Sequence, residues 1–322
     1  MSFDLHGGVN ISCWLSQTRI SAEEAAKKFT RDDMNRIAGI GLDHIRLPVG
    51  EPHLWDEEGN RRQGAWGLMN AAIDWAADAD LRVVVDLHEL RSFAVNTEDW
   101  TLFTDPEAPK RFAEVWRELS DELREQPLDQ VAYELLNEAV ADDPADWNRV
   151  YKHPYRTIRE AEPERVVVLG PNRWNQAVTM PTLDVPQDDP NLLLTFHYYN
   201  PMPLTHYRAR WVPELTAYDG PIQYPGRPIP EENWEAMDPD RRDAIDPEWN
   251  RYYDASVIAE DIQPALDVAR ETGLPLWCGE LGVHNTVPEV LRERWYRDVR
   301  EVLEERGIAW ANWGYQRAGF SL

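Results

Sequence analysis

Eight short apolar segments recur along this chain of 322 residues, and helical or loop-like stretches separate them. They cover residues 8–12, 44–49, 81–88, 133–138, 165–170, 191–199, 274–280 and 308–313. Segments that are apolar almost throughout are typical of strands buried on both faces, as parallel strands are. Eight such strands alternating with helices over about 300 residues predict an α/β fold of the (β/α)8 TIM-barrel type.

The main alternative is a doubly wound open sheet, which would carry a glycine-rich loop after its first strand. Residues 10–14 read Asn-Ile-Ser-Cys-Trp and contain no such loop. We therefore predict one (β/α)8 domain over residues 1–322, with a long loop insertion at 200–253 that is rich in Pro, Trp and Tyr. Nine residues follow Trp313, too few for a full eighth helix, so that helix should be short or absent.

Polar and aromatic residues gather at the C-terminal ends of the predicted strands, where a TIM barrel places its active site. Two of these strands end in a carboxylate, Glu138 after Asn137 on the fourth and Glu280 on the seventh. Structural polar residues alone would not favour the same end of every strand, so the pattern indicates a two-carboxylate catalyst. The other strand ends carry Trp14, Arg46, His88, Asn172, Trp174, His197, Tyr199 and Trp313.

In these positions the sequence resembles glycoside hydrolase family 5, which is cellulase-like and belongs to the retaining (β/α)8-barrel glycosidases. The resemblance covers essentially the whole chain. It rests on short motifs, each of which lies at the end of a different predicted strand. They are His-Ile-Arg-Leu-Pro at 44–48, Asp-Leu-His at 86–88, Asn-Glu at 137–138, His-Tyr-Tyr at 197–199, Gly-Glu at 279–280 and Trp313. It implies that Glu138 is the general acid/base and Glu280 the nucleophile. Hydrolysis with retention needs two carboxyl groups about 5–5.5 Å apart, one protonated and one ionised.

The resemblance also implies roles for the polar residues around this pair. Arg46 and Tyr199 would keep Glu280 ionised, the first by its fixed charge and the second by a hydrogen bond. His197 would orient Glu138. All three are also expected among the residues that bind the substrate.

Further residues are expected to contact the sugar itself. Asn137 would bind the sugar 2-hydroxyl, a contact that strengthens in the oxocarbenium-like transition state. His88 would bind another hydroxyl, and Trp313 would form the floor of the subsite for the covalently attached sugar. Trp14 and Trp174 are expected to line the same cleft.

Several of these residues have structural alternatives. Arg46 could pair with Glu134 inside the barrel, and His88 could be a core histidine with satisfied hydrogen bonds. Glu134 and Asp86 lie well before the ends of their strands and are interpreted as buried structural partners. Within the insertion, residues 205–211 are the stretch most expected to contact substrate.

The composition restricts the partners of the protein. A net charge of −25 repels phosphate backbones, so nucleic acid is excluded as a favoured partner. We see neither a signal peptide nor a transmembrane run, which predicts no membrane partner and either a cytoplasmic protein or a secreted one whose leader was removed. No obligate protein partner is evident. Cys13 and Cys278 are expected to be reduced, buried thiols.

Two other classes of barrel protein are disfavoured. A metal-dependent hydrolase would need a His-x-His pair after the first strand, and none is present there, so we expect no metal and no cofactor. A non-catalytic carbohydrate-binding barrel would keep its Trp residues, here 15, but lose a carboxylate, and both Glu138 and Glu280 are present.

The predicted function is that of a retaining β-glycoside hydrolase, most closely an endo-β-1,4-glucanase that acts on β-linked oligo- or polysaccharide. An exo-acting β-glycosidase, a β-mannanase or a β-1,3-glucanase with the same mechanism stay open as alternatives. The insertion at 200–253 distinguishes them in part, because an open groove would favour endo action and a closed end would favour exo action.

Overall fold

The computed structural model describes residues 3–95, 97, 100–216, 218–316 and 319–321. Its eight strands form one closed barrel in which each pairs in parallel with the next and the last pairs with the first. This confirms the predicted (β/α)8 TIM barrel. The strands are β1 Gly7–Asn10, β2 His44–Gly50, β3 Arg82–Glu89, β4 Val131–Glu134, β5 Val167–Leu169, β6 Leu192–Tyr198, β7 Leu276–Leu281 and β8 Ala309–Asn312.

The helices pack around this barrel or follow the ends of its strands. None of the helices in the described ranges is long and apolar enough to cross a membrane. They are α1 Ala22–Lys28, α2 Arg31–Gly39, α3 Glu51–Leu54, α4 Gln63–Asp78, α5 Ala108–Leu123, α6 Pro144–Val150, α7 Lys152–Ala161, α8 Met202–Thr205, α9 Pro213–Thr216, α10 Glu231–Glu235, α11 Pro239–Ala244, α12 Ala255–Thr272 and α13 Glu289–Glu304, with 3-10 helices at Ala177–Thr182 and Pro247–Asn250.

Reciprocal caps fix the starts of the first two helices. Ser21 accepts a hydrogen bond from the backbone N–H of Glu24, whose carboxylate accepts one from Ser21 in return. Thr30 and Asp33 make the same arrangement at α2. Such pairs satisfy backbone donors that a helix start otherwise leaves unpaired.

Packing between α5 and β4 fixes the strand that leads to the acidic site. Trp116 is fully buried on α5. Its ring centroid lies 5.4 Å from that of Tyr133, with the planes tilted by 35°, and its indole N–H donates a 2.9 Å hydrogen bond to the carbonyl of Leu135. Because side chains alternate along a strand, Tyr133 faces the helices and Glu134 faces the barrel interior. The predicted inward position of Glu134 follows from this alternation.

The fourth strand is shorter than predicted. It ends at Glu134, whereas the sequence predicted a strand over 133–138. Backbone hydrogen bonds continue irregularly beyond it, from Leu135 to the carbonyl of Val168 and from Asn137 to that of Leu87. Glu138 has a φ of +44°, so the chain has left the extended conformation there. The apolar pattern did not reveal this end, because the residues after the strand are buried as well.

Residues 313–316 and 319–321, which follow β8 and are described, contain no helix. Instead the segment folds over the barrel end. Asn312 donates hydrogen bonds from Nδ2 to the carbonyls of Gly314, at 2.8 Å, and Phe320, at 3.0 Å. This brings the Phe320 ring to 5.7 Å from that of Tyr199.

The segment at 200–253 contains more structure than the predicted loop. Four short helices, α8 to α11, lie within it, together with the 3-10 helix Pro247–Asn250. Leu215, Ile229 and Ile245 form a small buried cluster of their own. These apolar residues thus form a local core within the segment. The sequence did not reveal it, because Pro and Trp residues are scattered between them.

Candidate active site

The carboxyl groups of Glu138 and Glu280 meet at the C-terminal end of the barrel. Glu280 lies on β7, and Glu138 lies four residues after β4. His197 on β6 contacts both, with Nδ1 2.8 Å from Oε1 of Glu138 and 3.6 Å from Oε2 of Glu280. One oxygen of each carboxylate and a ring nitrogen of His197 all lie within 4.8 Å of one another.

Arg46 lies beneath this pair. It is fully buried and donates to Glu280 Oε1 at 2.5 Å and to Glu134 at 2.6 and 2.9 Å. The expected contact with Glu280 and the alternative pairing with Glu134 are therefore both present, because the guanidinium fork can bind two carboxylates at once. Direct substrate binding by Arg46 does not fit this burial. It holds the nucleophile candidate in place.

The carboxylate of Asp86, whose Oδ2 lies 3.1 Å from Nη2, and two buried amides also surround the guanidinium. Asn10 accepts from Arg46 at 3.0 Å and donates to the carbonyls of Gly279 and Asn312, which ties β1 to β7 and β8. Sequence reasoning missed Asn10, although an amide at the end of an apolar strand was an available signal. Asn137 accepts from Arg46 through Oδ1 at 2.9 Å. Since a guanidinium only donates, Oδ1 must face it and Nδ2 points away. That orientation is compatible with the predicted bond to a sugar hydroxyl.

The environments of the two carboxyl groups separate their ionisation. Burial raises the pKa of Glu138 to about 7, against the opposing field of the Arg46 guanidinium. Burial also raises the pKa of Glu280, but this carboxylate has the guanidinium of Arg46 in direct contact. Glu280 is therefore the first of the pair to ionise, and Glu138 retains a proton near neutral pH. These environments are the ones that the predicted roles of Glu138 and Glu280 require, and the roles themselves stay predictions.

Tyr199 supplies the second expected contact to Glu280. Its hydroxyl donates a 2.8 Å hydrogen bond to Oε2. Burial, together with the neighbouring Glu280 charge, raises the pKa of Tyr199 well above its ordinary value, so the group stays a neutral donor. The stretch 205–211 reaches this tyrosine: Thr205 Oγ1 donates to its carbonyl and the ring of His206 packs 5.2 Å from the phenol.

The rings of His88 and Trp313 are stacked on each other. Their ring centroids lie 5.3 Å apart with planes 17° from parallel. His88 Nδ1 lies 2.7 Å from Asp86 Oδ2, while its buried Nε2 has no hydrogen-bond partner in the described part of the protein. Burial lowers the pKa of His88, so the ring is neutral. A neutral ring that donates from Nδ1 to Asp86 leaves Nε2 as an acceptor for a sugar hydroxyl.

The two remaining tryptophans have different positions. Trp174 is 40% exposed in the turn after β5, where a flat ring can contact a sugar face. Trp14 is only 3% exposed, packs on Phe29 and donates a 2.8 Å hydrogen bond to the carbonyl of Ala25. The expectation that Trp14 lines the cleft therefore does not match the structure. The hydrogen bond to Ala25 places the Trp14 ring against α1, and the position of Trp14 after a predicted strand did not reveal this packing.

The only metal-ligand candidates within the described residues are the same site residues, Glu138, His197 and Glu280. Their donor atoms already bond to each other, to Arg46 and to Tyr199. The expectation that the chemistry needs no metal stays a prediction. Cys13 and Cys278 are free thiols, as predicted, although Cys13 is only partly buried.

A (β/α)8 barrel with two facing carboxyl groups at its C-terminal end defines a class of protein, the barrel glycosidases. The chain belongs to one family of that class, because the profile described as Cellulase (glycosyl hydrolase family 5) matches residues 10–319. The resemblance inferred from the strand-end motifs is thereby confirmed, and the chain is a glycoside hydrolase.

Several proteins are similar to it along most of their length. Endoglucanase C of Acetivibrio thermocellus is 29% identical over 320 residues, which cover 98% of this chain and 92% of that protein. Cellodextrinase A of Ruminococcus flavefaciens is 27% identical over 306 residues, covering 94% and 83%. The structure of Thermotoga maritima Cel5A in complex with mannotriose has a TM-score of 0.78 at 21% identity, covering 98% of this chain and 92% of that one.

Proposed function

We propose that this protein is a retaining endo-β-1,4-glucanase that cleaves β-glucan by double displacement. One observation carries the retaining mechanism: an oxygen of Glu138 lies within 4.8 Å of an oxygen of Glu280. Retaining enzymes place their carboxyl groups about 5–5.5 Å apart, whereas inverting enzymes leave about 6.5–9.5 Å for a water molecule between them. The short separation supports direct attack by a carboxylate on the sugar.

In the first step, the ionised Glu280 attacks the anomeric carbon while Glu138 gives its proton to the departing glycosidic oxygen. The C–O bond to the leaving sugar breaks as the bond to Glu280 forms. Arg46 and Tyr199 hold Glu280 by its two oxygens, which fixes the attacking carboxylate. In the second step, Glu138, now ionised, takes a proton from water, and the hydroxide equivalent displaces Glu280 with a second inversion.

The choice of β-1,4-glucan rests on the relatives. The family profile carries the description Cellulase, and Endoglucanase C and Cellodextrinase A match nearly the whole chain. The two names differ in the length of glucan they imply. Chain-length preference is therefore the property that an experiment must decide first.

The test is product analysis on cellohexaose, carboxymethyl cellulose, β-mannan and β-1,3-glucan, with Glu280→Ala as the inactive control. We expect a rapid loss of viscosity for the cellulose derivative relative to reducing ends released, and a β-anomer as first product by proton NMR. Release of cellobiose alone from one chain end would instead indicate exo action. Hydrolysis of mannan or β-1,3-glucan without hydrolysis of cellohexaose would contradict the proposed substrate.

A further inference from the structure

The turn that follows β5 has an unusual backbone. Arg173, Trp174 and Asn175 have φ values of +59°, +58° and +52°, three successive left-handed residues, none of them glycine. L-amino acids adopt this region rarely and mostly singly. Backbone strain of this kind persists only where the surroundings impose it, and it is concentrated at functional sites.

Two sets of contacts impose this turn. The side chain of Asn172 accepts from the N–H of Ala141 at 2.7 Å and donates to its carbonyl at 2.9 Å. The backbone N–H of Trp174 donates to the carbonyl of Ala139 at 3.3 Å. Since Ala139 and Ala141 lie one and three residues after Glu138, these hydrogen bonds join the turn to the segment that carries the acid/base candidate.

The strained turn directs the amide of Asn175 into the barrel. This side chain is 1% exposed, and its Nδ2 lies 3.4 Å from Nε2 of His197. Gly170, which directly follows β5, leaves space for the Asn175 side chain. A Cβ atom at position 170 would lie 2.5 Å from Asn175 Oδ1 and 2.7 Å from Nδ2. The opposite nitrogen of the same imidazole is the one that contacts Glu138, at 2.8 Å.

The tautomer of His197 decides what happens to the proton of Glu138. Burial lowers the pKa of His197 to about 4, so the ring is neutral near pH 7 and carries one N–H. If that hydrogen is on Nδ1, the ring donates to Glu138 Oε1, and the carboxylic proton can occupy the other oxygen, free for the substrate. If it is on Nε2, the bare Nδ1 accepts the carboxylic proton of Glu138 and withholds it from the glycosidic oxygen.

We propose that Asn175 is a positioning residue that donates to His197 Nε2, fixes the Nδ1–H tautomer and so keeps the acid proton of Glu138 available to the leaving group. This rests on the proposed function only through the role of Glu138 as acid. Asn175 touches neither substrate nor the reacting atoms, and it acts through the imidazole.

Two substitutions test this without disturbing the left-handed backbone. Asn175→Gly removes the amide, and glycine tolerates a φ of +52°. Asn175→Asp keeps the shape but replaces the donor by an acceptor, which draws a proton to Nε2. Arg173→Gln is the matched control, because it lies in the same turn and its side chain bonds to the carbonyl of Asp142 and not to His197.

The rates to compare are kcat/KM for aryl β-cellobiosides whose leaving groups range from dinitrophenol to unsubstituted phenol. A dinitrophenolate leaves without protonation, so its rate should be nearly unchanged in both Asn175 variants. The phenyl substrate needs the acid, and its rate should fall roughly tenfold or more, a part of the 10²–10⁴ that general acid catalysis supplies. Arg173→Gln should change neither rate.

A nitrogen-15 NMR spectrum of histidine-labelled protein provides the direct readout. We expect His197 as the Nδ1–H tautomer in the wild type, and protonated on Nε2 in Asn175→Asp. An Nε2–H tautomer in the wild type, or an equal loss of rate for activated and unactivated aglycones, would overturn the proposal in favour of a structural role. A wild type that cleaves aryl β-glycosides but no glucan would refute the glucanase assignment and leave this inference testable on the same substrates.

Discussion

Arg46 Nη1 lies 2.5 Å from Glu280 Oε1, and both side chains are buried below the mouth of the barrel. The negative charge of the nucleophile candidate is thus balanced by a cation that solvent does not reach. The same guanidinium binds Glu134 through two hydrogen bonds, so it cannot move toward the substrate without breaking them. Its contribution is to fix the position and the ionisation of Glu280.

Replacement of this arginine by lysine should therefore impair the chemistry while the charge is kept. A single ammonium cannot reproduce the fork that binds Glu280, Glu134 and the Asn137 amide together. For Arg46→Lys we expect a fall in kcat/KM of about 10²–10³, the range seen when one preorganised electrostatic contact is lost. Dinitrophenyl β-cellobioside is the substrate, since it reports on attack by Glu280. Arg61→Lys, a partly exposed arginine paired with Glu122, is the control. Equal activity in Arg46→Lys would show that the fork is dispensable.

The two carboxyl groups should respond differently to truncation. Glu138→Ala should nearly abolish hydrolysis of cellohexaose, by about 10²–10⁴ in rate, yet spare formation of the glycosyl-enzyme from activated aryl glycosides. Azide should restore turnover in this variant, because a small anion can replace the base-activated water. Glu280→Ala should have no activity on either substrate. Normal turnover of cellohexaose by Glu138→Ala would show that another residue is the acid.

The raised pKa of Glu138 predicts how activity depends on pH. Glycosylation needs this group protonated, and burial raises its pKa to about 7. Activity on cellohexaose should therefore be present below this value and be lost as the pH rises through about 7. A dinitrophenyl substrate measured alongside should lack this alkaline loss of kcat/KM. An alkaline limb shared by both substrates would assign the ionisation to a different group.

The same shift predicts a dependence of stability on pH. A carboxyl group whose pKa is higher in the folded than in the unfolded state binds more protons when folded, so its contribution to stability is lost as the pH rises through the folded value. Glu138→Gln removes this ionisation. Relative to the wild type, the variant should gain up to about 3 kcal/mol in unfolding free energy between pH 5 and pH 8. Urea unfolding at both pH values measures this difference in free energy between the variant and the wild type. A difference that is the same at pH 5 and pH 8 would show that the pKa of Glu138 is not raised by folding.

Replacement of two tryptophans at predicted strand ends should affect different properties, the stability of the fold in one case and substrate binding in the other. Trp14→Ala should destabilise the fold by about 3–5 kcal/mol, the usual cost of emptying a buried aromatic site, while KM of the folded protein changes little. Trp313→Ala should raise KM for cellohexaose, because its ring is stacked on His88 at the predicted sugar subsite. Thermal melts and Michaelis–Menten kinetics on both variants separate the effects. A raised KM with unchanged stability in Trp14→Ala would show that this residue contacts the substrate in the cleft.

Chelation tests whether the chemistry depends on a metal. Glu138, His197 and Glu280 have donor atoms close enough for one ion, but those atoms are already engaged in hydrogen bonds. We expect excess EDTA to leave the rate on cellohexaose unchanged. Loss of activity on EDTA treatment, restored by a metal, would contradict this expectation.

The sequence determined the barrel and the identity of the two carboxyl groups. Apolar runs marked all eight strands, because strands of a parallel barrel are buried on both faces and the pattern is local. The C-terminal ends of those strands then selected Glu138 and Glu280, since the fold brings these ends together. Alternation along the fourth strand also placed Glu134 inside the barrel.

Only the tertiary structure decided how the site is held. That Arg46 binds Glu134 and Glu280 at once depends on the register of β2, β4 and β7 around the closed barrel, which no local pattern encodes. The burial of Trp14 depends on where α1 packs, and the contact of Asn175 with His197 depends on three left-handed residues in one turn. Local periodicity records which side of an element is buried, whereas distances across a barrel are set by register, tilt and backbone irregularities between residues far apart in sequence.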